Sequence, residues 1–425
     1  MKFVETLLDK NIIVNKSDNL KFSINKPKFK QTILDFKETG VQGPNGFNGY
    51  FNIIKNNNYK LYYREKQNYK ECLMLSESND GIHFNKTTNI SQMKDNICIQ
   101  SNVHNFYPYY IEQKKKYIAT SGTEKKTNGL FLYESNNGIH WKEISKIINS
   151  NDILPGWIHK NHYDTHNTVF YNKFDDNYYL YIRNNQNHVP VRYVQYTKTK
   201  DFKTFTKMKN IKINNYNNED IYVFNSFLYP NSNLFISIPS FEAIKMKKLH
   251  NKSNIKICNN LIISTNGEDW DIIENNLFNL NNSENSVMMC CDIVSSNDNK
   301  ELYFYLHNFN HLFLPEKNYN IQLYTLELNR LNIIECINNG FLIAKINNLI
   351  DSNIELNFKT FNNGWIKVIL MDINNNEILQ SKKLNGDCLN KNVDWIQNIK
   401  IKNNNNYFIK FNMFNCILYS FNYNK

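Results

Sequence analysis

The feature that most constrains the fold is a short phrase that recurs four times along the chain. It reads SNDGIHF from Ser78, SNNGIHW from Ser135, TKDFKTF from Thr199 and STNGEDW from Ser264, at intervals of 57, 64 and 65 residues. Each phrase follows a run of β-forming residues, has turn-forming residues at its centre and ends in an aromatic residue. Each therefore predicts a strand, a tight turn and another strand.

A β-hairpin is predicted ahead of each phrase. The clearest is Tyr163 to Arg183, where Val169 to Tyr171 run into a polar turn at 173–177 and Tyr178 to Ile182 run back. Further hairpins are predicted over 50–64, 104–123, 223–240 and 286–307. Two hairpins per repeat make one four-stranded blade, so the sequence predicts an all-β fold containing a five-bladed β-propeller. A long β-sandwich with coincidental turns is the alternative.

The pattern of predicted strands and turns changes after Leu328. Short predicted strands such as IELNFKTF and WIKVILMDI are separated by Asn-rich turns, without the repeated phrase, which is typical of a small antiparallel β-sandwich. The predicted domains are residues 1–330 for the propeller, with residues 1–40 leading into its first blade, and residues 331–425 for the C-terminal sandwich.

Composition restricts the classes of function. Among 425 residues there are 27 Tyr and 28 Phe, and 41% are hydrophobic, which argues against a disordered chain. The formal net charge is +11, but the lysines are scattered, so no nucleic-acid partner is expected. The eight cysteines show no C-x-x-C or Cys/His metal spacing, which predicts reduced thiols and no metal or other cofactor.

Neither a signal peptide nor a membrane span is expected. The first residues, MKFVETLLDKNII, contain acidic residues within their apolar run. No segment reaches the roughly 20 apolar residues that a membrane-spanning helix needs. The sequence therefore predicts an intracellular protein, and it leaves the oligomeric state open.

Several segments occur in a familiar order: FVETLLDKNII, YKLYYR, HNFYP, GLFLYESNNGIHW, DTHNTVFY with YLYIR, and ILYSFNY. Together they resemble the five-bladed propeller clan of glycoside hydrolases, families 32, 43 and 68, and especially bacterial relatives of the family 32 type. The resemblance implies a central funnel in which carboxylates meet a sugar. Blade one would supply a nucleophile or base, blade two an acid that orients substrate or tunes a pKa, and blade three the general acid.

Carried onto this chain, the general acid of blade three is Asp164. The blade-one position reads Gln-Gly-Pro-Asn-Gly over 42–46, with Gly43 where the resemblance implies a carboxylate. Blade two opens with His104, where many of these hydrolases have an acid. The partner of Asp164 is therefore open.

The start of the first strand and the end of the second lie at the same end of a blade, and this rule supplies further candidates. Glu242 and Glu124 are the candidate catalytic partners of Asp164. Each candidate has a structural alternative, such as a strand cap for Asp164, an ion pair for Arg183 or a backbone contact for Asn167. The candidate sugar-binding residues are His104, Asn167, Arg183, Arg64, His166 and Asn225.

Aromatic residues near these positions are assigned mainly to packing. Tyr50, Trp157 and Tyr222 could stack on a sugar ring, but core packing is the expected role in a chain so rich in aromatics. Trp141 and Trp270 end two of the repeated phrases and are assigned to packing between strands.

The sequence thus predicts a carbohydrate-active protein with two alternatives for its activity. The first is a glycoside hydrolase-like enzyme, with phosphorolysis or glycosyl transfer as variants in which Arg64 and Arg183 would hold a phosphate. The second is a propeller that lacks the catalytic acids and serves as a glycan-binding or interaction module.

Overall fold

The computed structural model describes residues 2–35, 50–67, 70–85, 88–99, 103–123, 129–149, 163, 165–186, 192–242, 257–278, 287–309, 320–397, 399, 401 and 405–425. These residues form β-strands with four short 3₁₀ helices, at Lys10–Ile12, Ile90–Gln92, Lys94–Ile99 and Glu112–Lys114. Within the described ranges, none of the helices has the length and apolar character needed to cross a membrane.

Four strands precede the first blade and three regular blades follow. The leading strands are β1 (Lys2–Glu5), β2 (Ile13–Lys16), β3 (Lys21–Ile24) and β4 (Lys28–Asp35). Blade one contains β5 (Phe51–Lys55), β6 (Tyr59–Gln67), β7 (Lys70–Ser78) and β8 (Thr88–Asn89). Blade two contains β9 (Tyr107–Ile111), β10 (Lys116–Thr123), β11 (Gly129–Ser135) and β12 (Lys142–Asn149). Blade three contains β13 (Thr168–Asn172), β14 (Asn177–Asn185), β15 (Arg192–Thr199) and β16 (Lys209–Asn210).

Blade four is broken across its middle. Its strands are β17 (Lys212–Asn214), β18 (Asp220–Val223), β19 (Ser226–Leu228), β20 (Phe235–Ser237), β21 (Ser240–Glu242), β22 (Ile257–Asn259), β23 (Leu261–Ser264) and β24 (Asp269–Glu274). Strand β18 pairs with β21 while β19 pairs with β20, so one long hairpin is divided into two short ladders. Pro239 lies at the break, where its missing N–H removes a ladder hydrogen bond.

Blade five closes the ring with a strand from the other end of the sequence. It contains β25 (Val287–Ser295), β26 (Glu301–Phe309) and β27 (Asn320–Glu327), and its outermost strand is β4. The innermost strand β25 contacts β5 of blade one, and β5, β9, β13 and β19 contact each other in turn. The predicted five-bladed propeller is therefore confirmed.

The C-terminal β-sandwich also takes strands from the N-terminus. It contains β28 (Asn332–Cys336), β29 (Gly340–Leu349), β30 (Ile354–Met371), β31 (Glu377–Gln380), β32 (Asp387–Asn392) and β33 (Asn405–Asn424), which surround one apolar core. Strands β1, β2 and β3 pair with β33, β29 and β28 respectively. Residues 1–40, expected to lead into the first blade, thus contribute strands to the sandwich and to blade five.

The repeated phrase forms the same turn in each blade where it occurs. In the first, the Ser78 hydroxyl accepts a hydrogen bond from the Gly81 N–H at 2.9 Å, and Asp80 Oδ1 accepts from the Ile82 N–H at 2.8 Å. Gly81, Gly138 and Gly267 all have φ between +73° and +75°. This left-handed conformation favours glycine because a side chain would clash with the backbone.

Apolar layers between neighbouring blades hold the ring together. Trp141 and Trp270, which end two of the repeated phrases, are fully buried in the layers between blades one and two and between blades three and four. Their indole N–H groups donate to the carbonyl oxygens of Gly138 and Gly267 at 3.2 and 3.3 Å. Both tryptophans therefore pack between strands, as the sequence predicts.

Candidate functional site

The candidate site lies at the end of the propeller where the innermost strands begin, which we call the funnel end. Asp164 and Glu124 lie outside the described residues, and so do Trp157, Gly43 and the side chain of Glu242. The six candidate sugar-binding residues are all described, and the structure brings them to the funnel end in two groups.

The first group joins blades one and two around Arg64. This arginine lies near the funnel end of β6, opposite Leu73 of β7, and is only 3% exposed. Its Nη1 donates to Glu71 Oε1 at 3.3 Å and also contacts His104 Nδ1. The guanidinium carbon lies 5.6 Å from the centre of the Tyr50 ring, within the range of a cation–π contact.

Glu71 is the carboxylate of this group. Its two carboxylate oxygens lie 3.1 and 3.2 Å from His104 Nδ1, so the side chain connects β7 of blade one with the segment before β9 of blade two. Glu71 was not among the candidates from the sequence. In an antiparallel blade the third strand begins at the end where the second strand finishes, so extending the rule to the start of the third strand would have found Glu71.

His166 is the buried histidine at the centre of the site. Its ring lies 4.9 Å from that of Tyr50 and 5.2 Å from that of Tyr107, measured between centres. Burial lowers the pKa of His166 to about 3; the nearby charge of Arg64 lowers it further, while a hydrogen bond with Asn225 opposes the shift. The imidazole is therefore neutral near pH 7.

The second group surrounds Arg183, at the funnel end of β14. Arg183 Nη2 donates to the backbone oxygen of Tyr222 at 3.2 Å, and its guanidinium carbon lies 5.8 Å from the centre of the Tyr222 ring. The Arg192 guanidinium lies 5.2 Å from the centre of that ring. Arg183 pairs with Val194 across the β14–β15 ladder, which fixes its position at the funnel end.

Asn167 holds the backbone beside the site. Its Nδ2 donates to the carbonyl oxygens of Tyr163 and Thr165, both at 3.1 Å. These two residues flank Asp164 in the sequence, and both are buried. The backbone contact that the sequence offered as an alternative for Asn167 is therefore present.

A second carboxylate, Asp220, lies at the funnel end of blade four. Asp220 Oδ1 accepts a hydrogen bond from the Arg192 N–H at 3.3 Å. In the β18–β21 ladder, the Cα atoms of Asp220 and Glu242 lie opposite each other. Asp220 and Tyr222 are both half-buried, whereas Ile221 and Val223 are buried. The sequence rule missed Asp220 because it placed the start of this strand at Val223.

A narrow cleft separates the Arg183 group from His166. Thr165, His166, Arg183 and Tyr222 line it, above an apolar base. Below the site, a channel of about 210 Å³ follows the innermost strands of all five blades. No group of three or more metal-ligating side chains occurs in the described parts of the chain.

No protein-family model and no curated protein sequence matches this chain. Solved structures that are similar to it include glycoside hydrolases. One is the catalytic domain of a family 62 α-L-arabinofuranosidase from Coprinopsis cinerea, with 11% identity over 72% of this chain and 98% of that chain, at a TM-score of 0.45. Another is a family 43 arabinoxylan arabinofuranohydrolase from Bacillus subtilis in complex with cellotetraose, with 8% identity over 89% and 96% of the two chains, at a TM-score of 0.41.

Proposed function

We propose that this protein binds a glycan at the funnel end and cleaves a glycosidic bond there, with Asp164 as the general acid. The observation that supports this is the pairing of aromatic rings with hydrogen-bonding side chains from different blades. Tyr50 lies beside His166 and Arg64, and Tyr222 lies beside Arg183. A sugar has apolar ring faces and a rim of hydroxyl groups. A site that pairs aromatic rings with hydrogen-bonding side chains therefore suits a sugar better than it suits a purely apolar ligand.

Cleavage requires a second carboxyl group, because one must protonate the leaving oxygen while the other attacks or activates water. Glu242 and Glu124 are the proposed partners of Asp164. The pairing of Asp220 with Glu242 in the β18–β21 ladder supports an acid from blade four and adds Asp220 as a candidate. The separation of the two carboxyl groups would determine whether the anomeric configuration is retained or inverted.

The experiment that tests this proposal compares turnover of a panel of aryl glycosides and oligosaccharides by the wild type and Asp164→Asn. We expect the variant to lose roughly 100-fold or more in kcat, which is the usual contribution of a general acid. Asp176→Asn is the matched control, since Asp176 is exposed in the turn at the opposite end of blade three. Equal turnover by the wild type and Asp164→Asn would remove Asp164 from the mechanism.

The same panel separates the other activities. Turnover that rises with inorganic phosphate concentration would identify phosphorolysis. Single substitutions Glu242→Gln, Glu124→Gln and Asp220→Asn would identify the second carboxyl group. The variant that lacks it should lose as much turnover as Asp164→Asn.

Glycan binding without turnover is the second candidate function, and Glu71 favours it. This carboxylate, at the junction of blades one and two, is engaged with both Arg64 and His104 and is therefore poorly placed to attack a sugar. Binding on a glycan array with no hydrolysis of the bound glycans would support this alternative. Measurable hydrolysis would exclude it.

A further inference from the structure

Two residues that line the cleft, Arg183 and His166, each carry a buried side-chain nitrogen atom. Arg183 is 6% exposed and His166 is 1% exposed. Arg183 Nε and His166 Nε2 make no hydrogen bond with any residue that the structure describes. A buried polar atom without a partner costs on the order of 1–3 kcal/mol, so a ligand that satisfies both atoms would gain affinity.

The two atoms have opposite hydrogen-bonding roles. Arg183 Nε carries a hydrogen and can only donate. His166 Nδ1 lies 3.3 Å from Asn225 Oδ1, an acceptor, so Nδ1 carries the single hydrogen of the neutral ring. His166 Nε2 is consequently an acceptor, and the cleft presents one donor and one acceptor.

The cleft also limits the size of what can enter. Its free volume is about 10 Å³, close to the space that one water-sized group needs. A sugar ring does not fit in that space, but one of its hydroxyl groups does. A hydroxyl is also the common group that can accept from Arg183 Nε and donate to His166 Nε2 at the same time.

We propose that Arg183 and His166 bind one hydroxyl group of a sugar whose ring lies at the funnel end beside Tyr222, and that this pair selects sugars by that hydroxyl. The inference rests on the proposed glycan function and specifies the recognition step. The Thr165 hydroxyl donates to the Tyr222 carbonyl oxygen at 3.3 Å and thereby holds one wall of the cleft against the other. Asp164 directly precedes Thr165, so a hydroxyl held here would set the position of the sugar relative to the proposed general acid.

The pair should discriminate strongly against the analogue that lacks this hydroxyl. Sites that hydrogen-bond a substrate hydroxyl reject the deoxy analogue because buried polar groups are then left without partners. The other hydroxyl groups of the sugar would make apolar or exposed contacts, so removing one of them should weaken binding much less.

The test uses full-length protein labelled with ¹⁵N at arginine and histidine, and a panel of methyl glycosides of common pentoses and hexoses. Binding is followed by NMR at the Arg183 Nε–H and the His166 ring nitrogens. We expect at least one methyl glycoside to shift both signals. We also expect its deoxy analogue at one ring position to bind at least 10-fold more weakly, with smaller losses at the other positions.

Arg183→Lys removes the Nε–H and keeps the positive charge, so it should abolish the difference between the parent glycoside and that deoxy analogue. Arg192→Lys is the matched control, because Arg192 contacts the same Tyr222 ring but does not line the cleft; it should preserve the difference. Persistence of the difference in Arg183→Lys would overturn the inference.

Other outcomes separate this inference from the proposed function. Binding or turnover of glycosides with no change at Arg183 and His166 would overturn the inference alone and would assign the cleft to a bound water. No binding and no turnover for any glycoside in the panel would overturn both.

Discussion

The hydroxyl of Tyr305 donates a hydrogen bond to the carbonyl oxygen of Gly81 at 2.7 Å, which joins blade five to the repeated turn of blade one. Tyr62 makes the same contact with Gly138 at 2.7 Å, and Tyr181 makes it with Gly267 at 2.9 Å. Each tyrosine lies on the second strand of one blade and reaches the turn of the next. The repeated glycine thus serves the contact between blades as well as the turn itself.

Gly81→Ala should destabilise the propeller by about 2–4 kcal/mol, because it combines backbone strain with a steric clash. Gly81 has φ +75°, and a Cβ atom there would lie 2.8 Å from both Tyr305 Oη and Tyr59 Cε1. The measurement is the free energy of unfolding from urea denaturation. Gly386→Ala is the control, since its φ is +117° but the new Cβ would meet only Cys388 Sγ, at 3.7 Å. Equal losses in the two variants would contradict the role assigned to the tyrosine contact.

Acidification should unfold the protein through its buried histidines. Burial lowers the pKa of both His166 and His307 to about 3, and the charge of Arg64 adds to the shift. In the unfolded chain a histidine has a pKa near 6.5, so between about pH 6.5 and 3 the unfolded state binds more protons. The free energy of unfolding therefore falls as the pH falls through this range. The total decrease is about 5 kcal/mol per histidine.

His307→Gln should flatten this pH dependence, because glutamine does not titrate. The measurement is the free energy of unfolding between pH 4 and pH 7 for the variant and the wild type. His140→Gln, at an exposed position, is the control and should leave the slope unchanged. A slope that is the same in all three proteins would show that these histidines are not the acid-sensitive groups.

Arg330 should be a strong stabilising residue between blade five and the C-terminal sandwich. It is 2% exposed; its Nη1 donates to Glu327 at 2.8 Å, its Nε to Asn357 at 2.9 Å and its Nη2 to Asp387 at 2.5 Å. Arg330→Lys cannot reproduce this fork of donors and should cost about 2–4 kcal/mol of stability. Differential scanning calorimetry would measure the loss.

Lys359→Ala is the matched control for Arg330→Lys. Lys359 also pairs with Asp387, at 2.9 Å, but its side chain is 40% exposed. An exposed ion pair contributes less than about 1 kcal/mol, so this variant should be close to the wild type. If Lys359→Ala lost as much stability as Arg330→Lys, the stabilisation would depend on Asp387, which both residues contact, rather than on the buried arginine.

Glu71 and His104 should be energetically coupled across blades one and two. A double-mutant cycle with Glu71→Gln and His104→Gln should give a coupling energy of about 0.5–3 kcal/mol, as for residues within one hydrogen-bonded network. The control cycle uses Asp298 and Lys300, an exposed pair 3.6 Å apart, for which coupling near zero is expected. Additive effects of Glu71 and His104 would indicate that their contact carries no stability.

The local parts of this fold could be predicted from the sequence. The hairpin predicted around Lys173 to Asn177 is present as β13 and β14, and the turn at Ser78 follows from hydrogen bonds within a few residues. Such features depend on residues that are close together in the sequence, so they can be predicted from the residue types alone.

The parts that depend on distant segments could not be predicted in this way. Nothing near Lys28 indicates that β4 pairs with β27, almost 300 residues later. The contact of Glu71 with His104 and that of Arg183 with Tyr222 likewise depend on how blades pack side by side. The roles of Asp164, Glu124 and Glu242 in catalysis stay predictions.

The pairing of β1 with β33, which sets Lys2 opposite Asn424, has a consequence for protein synthesis. While the chain is being made, the first strands emerge from the ribosome long before their partners exist. Strand β4 must wait for β27, and β1 must wait for β33. Because such long-range pairing is slow, the nascent chain presents the unpaired edges of these early strands until β33 has been synthesised. The interval before β33 is synthesised is therefore the time when this protein is most exposed to aggregation and most dependent on chaperones.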